Sequence, residues 1–370
     1  MNLSYWEYKT WLDRIDFTVV GSGITGLNCA LQLRERFSNA KILVIDKGVL
    51  PQGASTKNAG FACFGSISEI LDDLKNHSED EVVNLVNRRW EGIQFLRKTL
   101  GDTAMDFQQF GGYEIFSKKD EELFESSMAQ IGYMNELLLS VFGQKAFELY
   151  SNNFGFGNCL NQSVVNPLEG QLNPGKMMIA LLKKARAANI SILNGVEVQH
   201  LEEGSNSVVV TTPEFEFSSN YVCIATNGFA AQLTGEKIKP ARSQVLLTKP
   251  LKNLKVQGTF HLDKGYSYFR NLDNRILLGG GRNLDFSGEE TTKFGNTEVI
   301  QLHLKKVLTE LILPNQQIEI DCRWSGIMGV GNSKRPIVKQ LSDHVFCGVR
   351  LGGMGVAIGS LVGKEMANLV

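Results

Sequence analysis

From Asp16 the chain runs through FTVV, GSGITG, LNCALQLRERF and KILVID, ending at Asp46. Short apolar runs flank a glycine-rich turn and a helically spaced segment, so the pattern predicts strand, turn, helix, strand: a βαβ unit of the size used for nucleotide binding. The stretch PQGASTKNAGFACFGS follows as loop, rich in small residues and opened by Pro51. Helices are then predicted over Ser68 to Lys75 and over Glu81 to Leu100, where Val82, Val83, Leu85, Val86, Trp90, Ile93 and Leu96 form one apolar face. A strand at Tyr113 to Phe116 and a helix over Lys119 to Leu139 lead into irregular sequence near 151–166.

The second half opens with Pro174 at the first position of a packing helix in which Met177, Met178, Leu181, Leu182 and Ala185 recur at helical spacing. A meander of four short strands follows, ending in YVCIAT, and further strands lie between Arg242 and Gly280. A helix is predicted from Thr297 to Leu311, then the strand HVFCGV, a glycine turn and a closing helix toward Val370. The order predicts an α/β fold in which the chain ends build one domain and the middle builds another. The expected domains are a doubly wound Rossmann-like unit from 1–100, 151–235 and 320–370, and a mixed-sheet α+β unit from 101–150 and 236–319.

Composition sharpens this picture at one point. Glycine accounts for 37 of 370 residues, clustered at 21–26, 279–281 and 348–359, as expected where backbone approaches a ligand closely. With 38 Lys+Arg against 39 Asp+Glu and no long basic block, a nucleic-acid partner is not expected. Six scattered cysteines without a CxxC pair suit a reducing compartment, and Cys63 is read as a small buried hydrophobe. The five histidines have no metal-ligand spacing, so no metal is expected. No secretory signal and no run of 18 apolar residues is found, which points to the cytoplasm.

Gly21, Gly23 and Gly26 fit GxGxxG directly after a strand and into a helix, where backbone amides can face a pyrophosphate. Ser22, Ile24 and Thr25 share that turn. Asp46, 20 residues after Gly26, ends the next strand where a carboxylate can accept ribose hydroxyls, with Lys47 beside it. A carboxylate there would repel a 2′-phosphate, so the adenosine is expected to be unphosphorylated. These features alone leave NAD and FAD open.

The loop Gly53, Ala54, Ser55, Thr56, Asn58, Ala59 and Gly60 resembles the second cofactor loop of the D-amino-acid oxidase superfamily of FAD enzymes, which includes glycine and sarcosine oxidases and D-amino-acid dehydrogenase. The resemblance extends through NPGKMMIALLKKARAANI, CIATNG, YSYFRNLDNRILLGGG and WSGIMG to VFCGVRLGGMGV, most of the chain. It implies noncovalent FAD, since SGIMG lacks the cysteine that some sarcosine-oxidase-like members use for covalent attachment. It further implies that Gly352, Gly353, Met354, Gly355 and Val356, with Met328, lie at the flavin ring, that Val198 flanks the adenine, and that Ala225, Thr226, Asn227 and Gly228 close the far side.

The implied reaction is hydride transfer from the carbon beside an amine to flavin N5, giving an imine that water hydrolyses. Glycine-oxidase-like members carry an arginine after W-x-G-L, but Trp324, Ser325, Gly326 and Ile327 are followed here by Met328. Arg270 and Arg350 are the replacement candidates for binding a carboxylate, Arg282 ranks behind them, and Tyr266 and Tyr268 could add hydroxyl donors. Two alternatives stay open: a 2-hydroxy-acid dehydrogenase, and a flavin-carrying subunit of a hetero-oligomer that docks a partner through Trp6 and Trp11, although a packing cap on the same chain is the favoured reading of that segment; a homo-oligomer also stays open.

Overall fold

The computed structural model describes residues 3–370. Its first sheet is centred on Ile15–Val20, flanked on both sides by parallel strands: Ile42–Asp46 and then Ser191–Asn194 on one side, Glu216–Ile224 and then Val345–Val349 on the other. Ile337–Gln340 closes one edge antiparallel, and the hairpin His200–Glu203 and Val208–Thr211 pairs with the early part of Glu216–Ile224. Of the four strands expected as a meander, the first therefore leaves it to become the parallel edge strand beside Ile42–Asp46. Burial on both faces explains why these strands read as unbroken apolar runs. Val19, Val44 and Cys223 pack under the helices Ile24–Arg36, Pro174–Ala187 and Gly355–Asn368, while Val20, Ile45 and Val222 face Val208 and Val210 of the hairpin.

The second sheet runs Ile320–Val330, Lys239–Thr248, Arg275–Gly280, Ser267–Leu272, Thr259–Leu262, Gly112–Ser117, Cys159–Asn166, Glu148–Ser151. Strand periodicity divides its residues between two environments. Leu246, Phe269, Ile276 and Leu278 point outward under the helix Glu298–Val307, with stacked Phe260 and Phe269 at 4.6 Å. Val245, Leu277 and Tyr268 point the other way, toward the loop carrying Ala59 and Phe61. Gly279 sits opposite Tyr268, and a Cβ there would lie 2.7 Å from the tyrosine ring, so part of the 279–281 glycine run exists to seat that ring.

The expected segment boundaries at 151 and 320 cut through this second sheet. Cys159–Asn166 pairs with Gly112–Ser117, and Ile320–Val330 pairs with Lys239–Thr248, so the crossings between sheets fall nearer 170 and 331. These pairings join strands that lie far apart in the chain, which local sequence pattern does not reveal. No helix among the described residues is long and apolar enough to cross a membrane.

Candidate active site

A cavity of about 970 Å³ lies between the two sheets. One end is built by the turn after Ile15–Val20. Gly26 must be glycine because a Cβ would sit 1.8 Å from the Gly21 carbonyl oxygen. The Ser22 amide and hydroxyl both donate to Asp46 Oδ2 at 2.8 Å, and Gly48 N–H donates to Asp46 Oδ1 at 2.9 Å. Asp46 thus ties the turn to the second strand while still lining the cavity, as do Gly21, Gly23, Ile24, Thr25 and Lys47. Ser55 Oγ accepts the Ile24 amide at 2.9 Å, joining the second loop to the helix start. Ala54, Ser55, Asn58, Ala59 and Gly60 of that loop line the cavity, whereas Thr56 turns back to the Pro51 carbonyl. Ser22 and Gly26 are supports behind the lining.

Val198, Ala225, Thr226, Asn227 and Gly228 form part of the wall, with Met328 and the closing turn Gly352 to Val356 opposite the second loop. Asn227, held in the left-handed region at φ 45°, accepts the Leu351 amide on its Oδ1 at 3.1 Å, fastening the turn to the first sheet. Trp324 Nε1 donates to the Lys57 carbonyl at 2.9 Å, which anchors the second loop to the second sheet.

The other end of the cavity is strongly polar. Tyr268 shares a 2.9 Å hydrogen bond with Ser243, and burial pushes its phenol up. His261, paired across strands with Tyr268, places Nε2 3.4 Å from Glu169, with Cys63 close by. Burial alone would push the imidazole down, but Glu169 and the more distant Glu114 and Glu69 raise it. Arg89, almost fully buried, donates to the Phe64 carbonyl at 2.6 Å and to Glu69 at 3.2 Å. Lys334 bonds Glu69 at 3.0 Å and Asp73 at 2.9 Å, and Lys264 bonds Asp72 at 2.9 Å. Burial would raise the Glu69 carboxyl, yet Arg89 and Lys334 pull it down to about 2.

Arg282 differs from these cations. It lines the cavity beside Tyr266, its guanidinium lies 4.7 Å over the Phe286 ring, and its side chain has no hydrogen-bond or ion-pair partner among the described residues. Burial lowers its pKa, with Tyr266, Glu289 and Glu290 opposing. Neither of the two preferred arginines lies on the cavity wall. Arg350 donates from Nε and Nη2 to the Arg335 carbonyl at 3.1 and 3.0 Å, an anchor for the loop. Arg270 shares the Tyr268 face of its strand but is buried behind Gly60, with Nε unpartnered and its pKa pulled by burial down to about 10. Tyr266 and Tyr268 both line the cavity.

Sequence reading missed Glu69, Asp72, Asp73, Arg89, His261, Lys264 and Lys334. Arg89 offered a signal: it stands on the same stripe as Val82, Val86, Ile93 and Leu96, where a charged residue needs a buried partner. The others come from separate elements and had no shared spacing.

An FAD molecule fits these residues. The buried hydroxyls Thr25 Oγ1 and Thr226 Oγ1 have no protein partner beside the glycine turn, and two helix N-termini, at Ile24 and Gly355, open onto one cavity. The chain matches the family described as FAD dependent oxidoreductase (DAO) over residues 16–369. It is 23% identical over 98% of its length to the probable oxidoreductase OrdL of Haemophilus influenzae, covering 84% of that protein. It is 24% identical over 96% of its length to the gamma-glutamylputrescine oxidoreductase of Escherichia coli, covering 83% of it. Among solved structures, glycine oxidase from Bacillus cereus superposes with a TM-score of 0.76 at 16% identity, with 96% of this chain and 97% of that one covered. L-Proline dehydrogenase from P. horikoshii gives 0.75 at 17% identity, covering 97% and 93%. With the match spanning nearly the whole chain and the cavity furnishing the groups that FAD requires, this chain belongs to the DAO family of FAD-dependent oxidoreductases.

Proposed function

We propose that the enzyme oxidises the C–N bond of an amine or amino acid that carries a carboxylate, with Arg282 as the carboxylate anchor. The observation that carries this reading is the state of Arg282. Glu69, Asp72 and Asp73 are each bonded to Arg89, Lys264 or Lys334, which leaves Arg282 as the uncommitted guanidinium on the cavity wall. A half-buried guanidinium forms strong, two-pronged hydrogen bonds to a carboxylate, and Tyr266 can add a hydroxyl donor. Activities named for the relatives point to the same substrate class.

In this reading Gly21 to Thr25, Asp46, Lys47 and Val198 hold the adenosine and pyrophosphate end of FAD, and Ala54 to Gly60, Met328 and Gly352 to Val356 hold the flavin end. Bound FAD supplies the hydride acceptor. The positive end of the closing helix favours the negative charge that reduction brings. Tyr268 and Tyr266 orient the substrate amine between the closing turn and the second sheet. With FAD bound, the carbon beside the nitrogen would be the hydride donor, and water would hydrolyse the resulting imine. Cys63 is the cysteine on the cavity wall, and burial pushes its thiol well up; noncovalent FAD stays part of this reading. Oxygen or another acceptor takes the electrons onward.

The test is an absorbance spectrum of the purified protein, followed by anaerobic mixing with amines, amino acids and 2-hydroxy acids, then air. Bleaching by a carboxylated amine supports the reading, and rapid recovery in air with peroxide release identifies oxygen as acceptor. Bleaching by hydroxy acids alone, or a folded colourless protein that takes up no FAD, overturns it.

A further inference from the structure

Cys63, Glu169 and His261 come from the segment just after the strand Phe61–Ala62, the segment before the two-residue strand Gly170–Gln171, and the strand Thr259–Leu262. Their Sγ, carboxylate oxygen and imidazole nitrogen all lie within 4.8 Å of one another, and all three side chains are buried. His261 Nε2 makes no hydrogen bond of acceptable geometry. Its neighbour is Glu169 Oε2 at 3.4 Å. Glu169 is oriented through its other oxygen, which accepts the Phe64 amide at 2.7 Å and the Gly65 amide at 3.4 Å. The Phe61 ring stands edge-on to the imidazole at 5.4 Å.

We propose that Cys63, Glu169 and His261 form a three-ligand site for Zn²⁺, with the fourth position open to the cavity. A tetrahedral zinc ion with bonds of about 2.0–2.3 Å holds its ligand atoms roughly 3.3–3.6 Å apart. The Nε2 to Oε2 pair already has that spacing, and the Cys63 Sγ, within 4.8 Å of both, has to draw in to complete the set. Binding releases the Cys63 thiol proton, and any proton on Nε2, to solvent. The thiolate and carboxylate then neutralise the ion. A thiolate, an imidazole and a single carboxylate favour zinc over magnesium or calcium, which take oxygen ligands. The two amides on Glu169 supply the outer shell that such sites need. Cys63 and His261 line the cavity, so three protein ligands leave one position facing it, the arrangement of open zinc sites. An ion there stands beside Tyr268 and obstructs the substrate, making zinc a reversible inhibitor.

The holoenzyme is stripped with a chelator, incubated with zinc against a chromophoric zinc indicator, and its metal content measured by elemental analysis with no substrate present. The expected result is a single tight equivalent, insensitive to excess magnesium, weakened ~100-fold or more in Cys63→Ala and in His261→Gln. Cys63→Ala replaces a buried thiol by a methyl group, and its retained flavin shows that it folds, so it decides the matter if His261→Gln does not fold. Zinc affinity unchanged in Cys63→Ala, or no tight equivalent in the unaltered enzyme, overturns the proposal. Because zinc is measured without turnover, this result stands apart from the outcome of the substrate screen.

Discussion

Arg282 and Gly23 are single residues whose replacement separates substrate binding from cofactor binding. Loss of a charge-assisted pair costs about 1.5–3 kcal/mol, roughly a 10- to 150-fold change in an equilibrium. Arg282→Ala is therefore expected to raise KM for a carboxylated amine about that much with a smaller change in kcat, and Arg282→Lys to recover part of it. Steady-state kinetics on the substrate found by the screen checks this; an unchanged KM would remove Arg282 from the site. Gly23 lies against the second loop, where a Cβ would stand 2.8 Å from Ser55 Oγ. A valine there pushes away the hydroxyl that accepts the Ile24 amide, and Gly23→Val is expected to leave the fold intact but lose FAD. Flavin absorbance per chain after gel filtration, beside an unchanged circular dichroism spectrum, is the measurement.

At the scale of elements, legibility followed the range of the contacts. The glycine turn with Asp46, the loop through Asn58 and Gly60, and the closing turn Gly352 to Val356 each lie within one short stretch, so local pattern could find them. Arg350 stood out because it adjoins the closing turn, yet its backbone at φ 62° carries the side chain to the Arg335 carbonyl. Arg282 was ranked last because nothing in sequence shows which arginines are already paired. The network of Glu69, Arg89 and Lys334 was invisible for a related reason: it joins the helix Ile67–Leu74, the helix Glu79–Leu100 and the loop after Ile320–Val330. The Glu69 carboxyl is lowered from its ordinary 4.5 to about 2. Its stabilising contribution is thus complete above pH 4.5, declines as pH falls toward 2 and is absent below. At about 1.36 kcal/mol per pKa unit it is on the order of 3 kcal/mol at neutral pH. Glu69→Gln is expected to lower Tm at pH 7, with the gap to the unaltered enzyme narrowing below pH 4. A gap that stays constant across that range would show that the ion pairs do not hold these elements together.

For the molecule as a whole, the cavity exists only where the two sheets meet, so occupancy by FAD must report on both. The first sheet brings Gly23 and Asn227, the second brings Met328, and the closing turn spans the junction, its Leu351 amide bonded to Asn227 and its Gly352 amide to the Gly329 carbonyl of the second sheet. A ligand bound only by the folded state at 100 times its Kd adds about 2.7 kcal/mol. With roughly 2.1 cal/mol/K of unfolding entropy per residue, a chain of 370 residues gains on the order of 3 °C in Tm. The N-terminal segment bears on whether one chain suffices for this. Leu12 is buried in the core of the first sheet, with Leu3 and Tyr8 packed against that core, so the segment caps its own domain, while Trp6 and Trp11 stay 74% and 46% exposed. The expected outcome is that the chain purified alone, stripped of FAD, regains colour, thermal stability and substrate-dependent bleaching together when FAD is added, with one unfolding transition. If colour and stability return while bleaching requires a second protein, the exposed tryptophans become the docking face of a flavin-carrying subunit, and replacing Trp6 and Trp11 should then abolish that rescue without disturbing the regained Tm.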